Sequence, residues 1–227
     1  MKFGVLGLGV ATAIAILIGL PGAALAEPPR AKTGFQMAIR TGYSAPFGEL
    51  AKNSDLSDFS SGQVPLIVDI GGKVIPHLFL GGYVGFGFGG PGGNQADLCD
   101  RNNSTCFGFG LRFGAEAQVH FIPDGFANPW LGYGIGFESL ALGVDNSRND
   151  DVVAAGVGGW EYAHFMGGVD FRLNRIVGIG PFVDVSLGGY KTVSYDNGDT
   201  TRSADIDDAD RATHGWATFG VRVVFFP

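Results

Sequence analysis

The stretch "FGFGLRFGAEAQVHF", Phe107 to Phe121, alternates with period two. Phe107, Phe109, Leu111, Phe113, Ala115, Ala117, Val119 and Phe121 share one face, and Gly108, Gly110, Arg112, Gly114, Glu116, Gln118 and His120 share the other. Successive side chains of a strand point to opposite sides of the sheet, so the segment reads as a strand whose two faces need different surroundings. Alternation alone leaves the inner face open. A secreted barrel buries the apolar side, and a membrane barrel turns it outward.

The same pattern recurs in eight segments, near Gly34–Tyr43, Gln63–Gly72, Leu78–Gly89, Phe107–Phe121, Trp130–Leu140, Trp160–Leu173, Ile179–Tyr190 and Gly215–Phe226. The connections between them alternate in length. Short turns such as "KVIPH", "IPDGFANP" and "NRIVG" follow the second, fourth and sixth segments, and long polar stretches such as "KTVSYDNGDTTRSADIDDADRAT" follow the odd ones. An up-and-down barrel places all odd connections at one end, which is how outer-membrane barrels separate short periplasmic turns from long extracellular loops. Ten residues at about 3.3 Å each, tilted near 40°, rise roughly 25 Å, the height of such a barrel's apolar band. The expected fold is therefore all-β: an eight-stranded, antiparallel, up-and-down transmembrane β-barrel.

Three features choose the orientation. Lysine is missing from the alternating centres, since Lys32, Lys52, Lys73 and Lys191 fall in termini, loops, turns or strand ends. A water-facing wall would carry several. The polar face combines glycine with balanced charge, and parity assigns to the interior Arg40, Asp69, Tyr83, Arg112, Glu116, Gln118, His120, Glu138, His164, Asp170, Arg172, Asp184, Ser186, Thr218 and Arg222. Opposite charges compensate one another in a narrow bore, and glycine leaves room for them. Finally, Tyr43, Phe121, Trp130, Trp160, Tyr190 and Phe225 fall near strand ends, where aromatic girdles meet the membrane surface.

The totals agree with this reading. The chain has 227 residues, 39 glycines and 19 phenylalanines, with 45% hydrophobic residues. "MKFGVLGLGVATAIAILIGLPGAALAEPPR" carries Lys2, an uncharged apolar run and Ala24-Leu25-Ala26, the pattern of a secretory signal cut after Ala26. That division gives a signal peptide over 1–26, a short segment over 27–33 and a barrel domain over 34–227. Loss of Lys2 leaves 14 basic against 22 acidic residues, a net charge of −8, which argues against a nucleic-acid partner. Cys99 and Cys106 are the only cysteines, and the oxidising compartment the signal implies lets them pair.

"PWLGYGIGFE" (Pro129–Glu138), "GGVDFRL" (Gly167–Leu173) and "GPFVDVSLGGY" (Gly180–Tyr190) resemble hairpins of the small outer-membrane β-barrel domain family of Gram-negative bacteria. The resemblance implies a location in the cell outer membrane, contact with membrane lipid and lipopolysaccharide, and insertion by the outer-membrane assembly machinery. It does not imply one activity. The family's last strand ends on an aromatic residue with apolar residues at every second position before it. Ala217, Phe219, Val221, Val223 and Phe225 keep that file, but Phe226 and Pro227 extend past it.

Little catalytic chemistry is visible. The glycine string at Gly87–Gly92 formally matches a dinucleotide fingerprint, but Pro91 and a polar loop follow where a helix is required. His120 and His164 lack the partner spacing of a metal site and read as packed lumen residues. Lipid-deacylating barrels need a serine two residues from a histidine on one strand face, and "HLF", "HFI", "HFM" and "HGW" supply none. The acidic stretch with Asp196, Asp199, Asp205, Asp207, Asp208 and Asp210 reads as a solvated loop. No cofactor, resident metal or catalytic residue is expected. The expected role is structural or surface-interactive, with the loops free to take an extracellular ligand. The main alternative is a narrow porin-like channel lined by Arg40, Arg112, Glu116, Asp170 and Arg222, and a lipid-modifying barrel ranks below it.

Overall fold

The alternating segments form strands, and each strand runs further than its alternating centre. The computed structural model describes residues 32–93, 96, 99, 105–146, 151–196 and 200–227. Its barrel strands are β1 (Gly34–Ala51), β3 (Ser60–Ile75), β4 (Leu78–Pro91), β5 (Thr105–His120), β6 (Ala127–Asn146), β7 (Asp151–Arg172), β8 (Val177–Asp196) and β10 (His214–Phe225). Among the described residues the loops add the short strands β2 (Ser54–Asp55) and β9 (Thr201–Asp205) and a helical turn, α1 (Leu56–Phe59). The expected signal segment lies outside the described residues.

Neighbouring barrel strands are antiparallel in the order β10-β1-β3-β4-β5-β6-β7-β8, and β8 pairs back to β10. Met37 lies opposite Phe225 and Gly48 opposite His214 between β1 and β10, while Gly188 lies opposite His214 and Val177 opposite Phe225 between β8 and β10. The sheet therefore closes on itself. Closure leaves no barrel edge with unpaired backbone groups, which hydrocarbon would penalise heavily.

At one end the connections are tight, with Pro76 and His77 alone separating the paired Ile75 and Leu78. At the other end the strands project. β6 and β7 stay paired out to Asn146 and Asp151, and β8 continues into a hairpin with β9, from Thr192 opposite Asp205 to Asp196 opposite Thr201. Much of what reads as long polar loop is thus strand beyond the apolar belt. Lys191 lies on this extension, within β8, whereas Lys73 lies within β3 close to its short-turn end. The Asn197-Gly198 corner lies outside the described residues.

Phe113, Leu131, Val183, Phe219 and Val221 are exposed on the wall, while Arg40, Asp69, Arg112, Glu116, Glu138, Asp170, Arg172, Asp184 and Arg222 are buried inside. So wide an apolar surface suits acyl chains and not water. Tyr43, Phe121 and Trp160 face outward, and Phe225 is partly exposed on the wall. Trp130 and Tyr190 do not belong to the girdle. Each is 1% exposed and points into the barrel. Their parity explains it: Trp130 shares the face of Glu138 in β6, and Tyr190 shares the face of Asp184 and Ser186 in β8.

Candidate functional site

The chemistry-bearing side chains converge in the lumen, which has three zones. In the middle, Arg40 of β1 donates to Asp69 Oδ1 through Nε at 3.2 Å and Nη2 at 2.8 Å, and to Asp184 Oδ2 through Nη1 at 3.2 Å. Glu116 stands 3.7 Å away. Toward the short turns, Arg222 of β10 donates to Asp170 at 2.9 Å and to the Gln118 carboxamide oxygen at 2.7 Å. Its guanidinium lies 4.1 Å over the Trp130 ring, which gives the buried indole its place.

Toward the loops, Arg112 grips Glu161 with two nitrogens, and Glu161 also accepts from the Tyr83 hydroxyl at 2.9 Å. His164 bridges this layer to the middle, with Nδ1 3.2 Å from Glu161 and Nε2 3.4 Å from Asp184. His214 contacts Glu138 and stacks on Tyr190 with 3.9 Å between ring centroids. Because Arg222 also approaches Asp69 at 3.9 Å and Arg112 approaches Glu138 at the same distance, one run of alternating acidic and basic side chains links Asp170 to His214. Buried charges persist only where partners and hydrogen bonds offset lost hydration, and here most carry more than one.

Both ends of the run are covered. At the loop end Leu56, from α1, is fully buried against Leu140, Val157, Tyr190 and Trp216. At the short-turn end Phe226 packs with Ala38 and Val224, and the Arg172 guanidinium lies 4.0 Å from the Phe226 ring centroid. Close packing inside depends on glycine. A Cβ on Gly114 would sit 2.7 Å from the Tyr83 hydroxyl oxygen, and one on Gly110 would sit 2.7 Å from the Gln63 carboxamide oxygen. The Gly87–Gly90 part of the glycine string lies in strand β4, and Gly87 and Gly89 pair there with β3 on one side and β5 on the other.

Sequence parity misses Glu161 for a physical reason. A bulge in β7 between Glu161 and Ala163 flips the strand's facing, so odd residues point inward before it and even ones after it. Trp216 shares the parity of Thr218 within the alternating segment, and His214 joins that face once the strand is started one residue earlier. Leu56 carries no periodic signal. Ser186 lies opposite His164 in register, and the His164 ring nitrogens stand 3.2 Å from Glu161 and 3.4 Å from Asp184. Cys99 and Cys106 form a disulfide at the start of β5.

A closed eight-stranded antiparallel barrel with a lipid-suited exterior and an ion-paired interior is the architecture of a transmembrane β-barrel, the fold found in small outer-membrane proteins. The fold is shared with a major outer membrane protein from Thermus thermophilus, at a TM-score of 0.54 and 10% identity over 85% of this chain and 99% of that one. Neisserial surface protein A aligns at a TM-score of 0.47 and 13% identity, over 85% of this chain and 98% of that one. No protein-family model matches the chain, and no curated protein matches it in sequence.

Proposed function

We propose that the barrel is a closed platform whose loop-end projections carry a surface-interaction role. The carrying observation is the lumen: Arg40, Asp170 and Arg222 are fully buried in mutual contacts, and Leu56 and its apolar neighbours cover the loop end. A solute path would have to break the ion pairs and lift that cover together. The projections that remain, the β6–β7 extension and the β8–β9 hairpin, stand beyond the apolar belt and are free to meet an extracellular ligand. Membrane lipid and lipopolysaccharide surround the wall, and the apolar file of β10 is the strand offered to the assembly machinery.

The competing reading is a narrow channel. Single-channel recording of the refolded protein in planar bilayers separates the two. Silence at physiological salt is the expected result, and steady unitary currents would replace the platform reading with the channel. A lipid-modifying role is opposed by the burial of His164 and Ser186 in the filled interior, away from any acyl chain. Incubation of the folded protein with labelled lipopolysaccharide is expected to release no acyl chain.

A further inference from the structure

At the short-turn end the barrel opens into a hollow of about 420 Å³, lined by Lys32, Lys73, Arg172, Arg175, Phe226 and Pro227. Four cations border one space. Among the described side chains, Asp124 and Asp170 neighbour both Lys73 and Arg172, and Asp170 is already held by Arg222. Lys73 is only 2% exposed, yet among the described residues its ammonium has no hydrogen-bond partner. Arg172 donates to Pro123 O at 2.8 Å through Nη2, while its Nε has no partner among them. In the same end of the lumen, the carboxamide of the fully buried Gln36 and Nε2 of His120 are likewise without partners among the described residues.

A buried ammonium with no acceptor is expensive, and most native groups of this kind meet a partner. Phe226 offers only part of one: its ring lies 5.6 Å from Lys73 Nζ and 4.0 Å from the Arg172 guanidinium carbon. A ring under a guanidinium covers its flat face and leaves the N–H groups, which lie in the plane, for an acceptor beside it. The ammonium offers three donors, and Arg172 Nε and the rim cations Arg175 and Lys32 add more. These exceed what the two oxygens of a carboxylate can satisfy. A phosphate presents three or four oxygens and more charge, and it matches Arg geometry.

We propose that this hollow binds a phosphate group, with Lys73 and Arg172 as inner donors and Arg175 and Lys32 as its rim. The phosphate is either free in the periplasm or part of a phospholipid headgroup of the inner leaflet, since the hollow opens where the wall meets that leaflet. Titration calorimetry on the folded full chain in an alkyl-glycoside micelle, which carries no phosphate, tests this. Inorganic phosphate is one titrant and short-chain phosphatidylglycerol the other. Lys73→Met is expected to weaken binding by about tenfold or more, and Arg175→Gln by roughly threefold. Arg175 is exposed, so its variant keeps the barrel intact even if Lys73→Met does not fold. Heat with inorganic phosphate that falls in the variants assigns the site to free phosphate. The same pattern with the lipid alone assigns it to a headgroup. No binding by either titrant, or equal binding by wild type and both variants, overturns the proposal.

Discussion

Arg40→Met tests whether the lumen charges hold the barrel together. Arg40 is fully buried and donates to Asp69 and Asp184, with Glu116 3.7 Å away, so the variant leaves three buried carboxylates facing one another without their shared cation. Removing one partner of a buried ion pair costs about 3–5 kcal/mol. That is roughly a 150- to 5,000-fold fall in the folded-to-unfolded ratio at room temperature. Methionine keeps most of the volume, so the loss reports charge more than cavity. The assay is urea unfolding in lipid vesicles, followed by the gel mobility of unheated samples, with Lys52→Met as an exposed control expected to stay within about 0.5 kcal/mol. If Arg40→Met unfolds at the midpoint of that control, the run of alternating acidic and basic side chains is not what holds the strands.

Three further outcomes follow from the same packing. Val183→Arg places a cation on a wall position that is 61% exposed, and a midplane arginine costs about 2–4 kcal/mol, so the unfolding midpoint in vesicles falls; an unchanged midpoint would mean the wall does not face lipid. Gly114→Ala drives a methyl against the Ile135 carbonyl oxygen of β6 and the Tyr83 hydroxyl, so backbone as well as side chain must shift, at a cost of about 3 kcal/mol or more, seen as a lower temperature of conversion to the slow-migrating gel form. Leu56→Ala removes the buried cover of the loop end and costs about 2–5 kcal/mol, with faster hydrogen exchange at Tyr190 and Trp216 as the local readout.

How far the sequence carries the fold depends on what period two can report. Facing is readable wherever pairing is regular, and so parity alone places Arg112, Glu116, Asp184 and Arg222 inside. It fails where the ladder slips. The bulge after Glu161 adds one residue to β7 without any residue type that marks it, and Glu161, which meets Arg112, Tyr83 and His164, stays hidden. Trp130 and Tyr190 show a different failure. Their position near a strand end suggests the girdle against their own parity, whereas Arg222 and His214 inside supply aromatic contacts that sequence cannot display. The loop-end cover is illegible because Leu56 reaches its partners through tertiary contact, with no repeat to announce it.

An ionic interior also explains why the strands adopt one register. An apolar lumen would make both faces of each strand alike, and a one-residue slip would then cost little. Here a slip of β5 by one residue would carry Arg112 and Glu116 into hydrocarbon and bring Leu111 and Phe113 inside, a change opposed by charge transfer into lipid and by the loss of every ion pair on that strand. Arg40 joins β1 to β3 and β8, Arg222 joins β10 to β7 and β5, and Arg112 joins β5 to β7. Strands far apart in sequence are thus tied by side chains that have no good alternative partners. Carbon-rich packing alone would hold a barrel, and these contacts select which barrel it is.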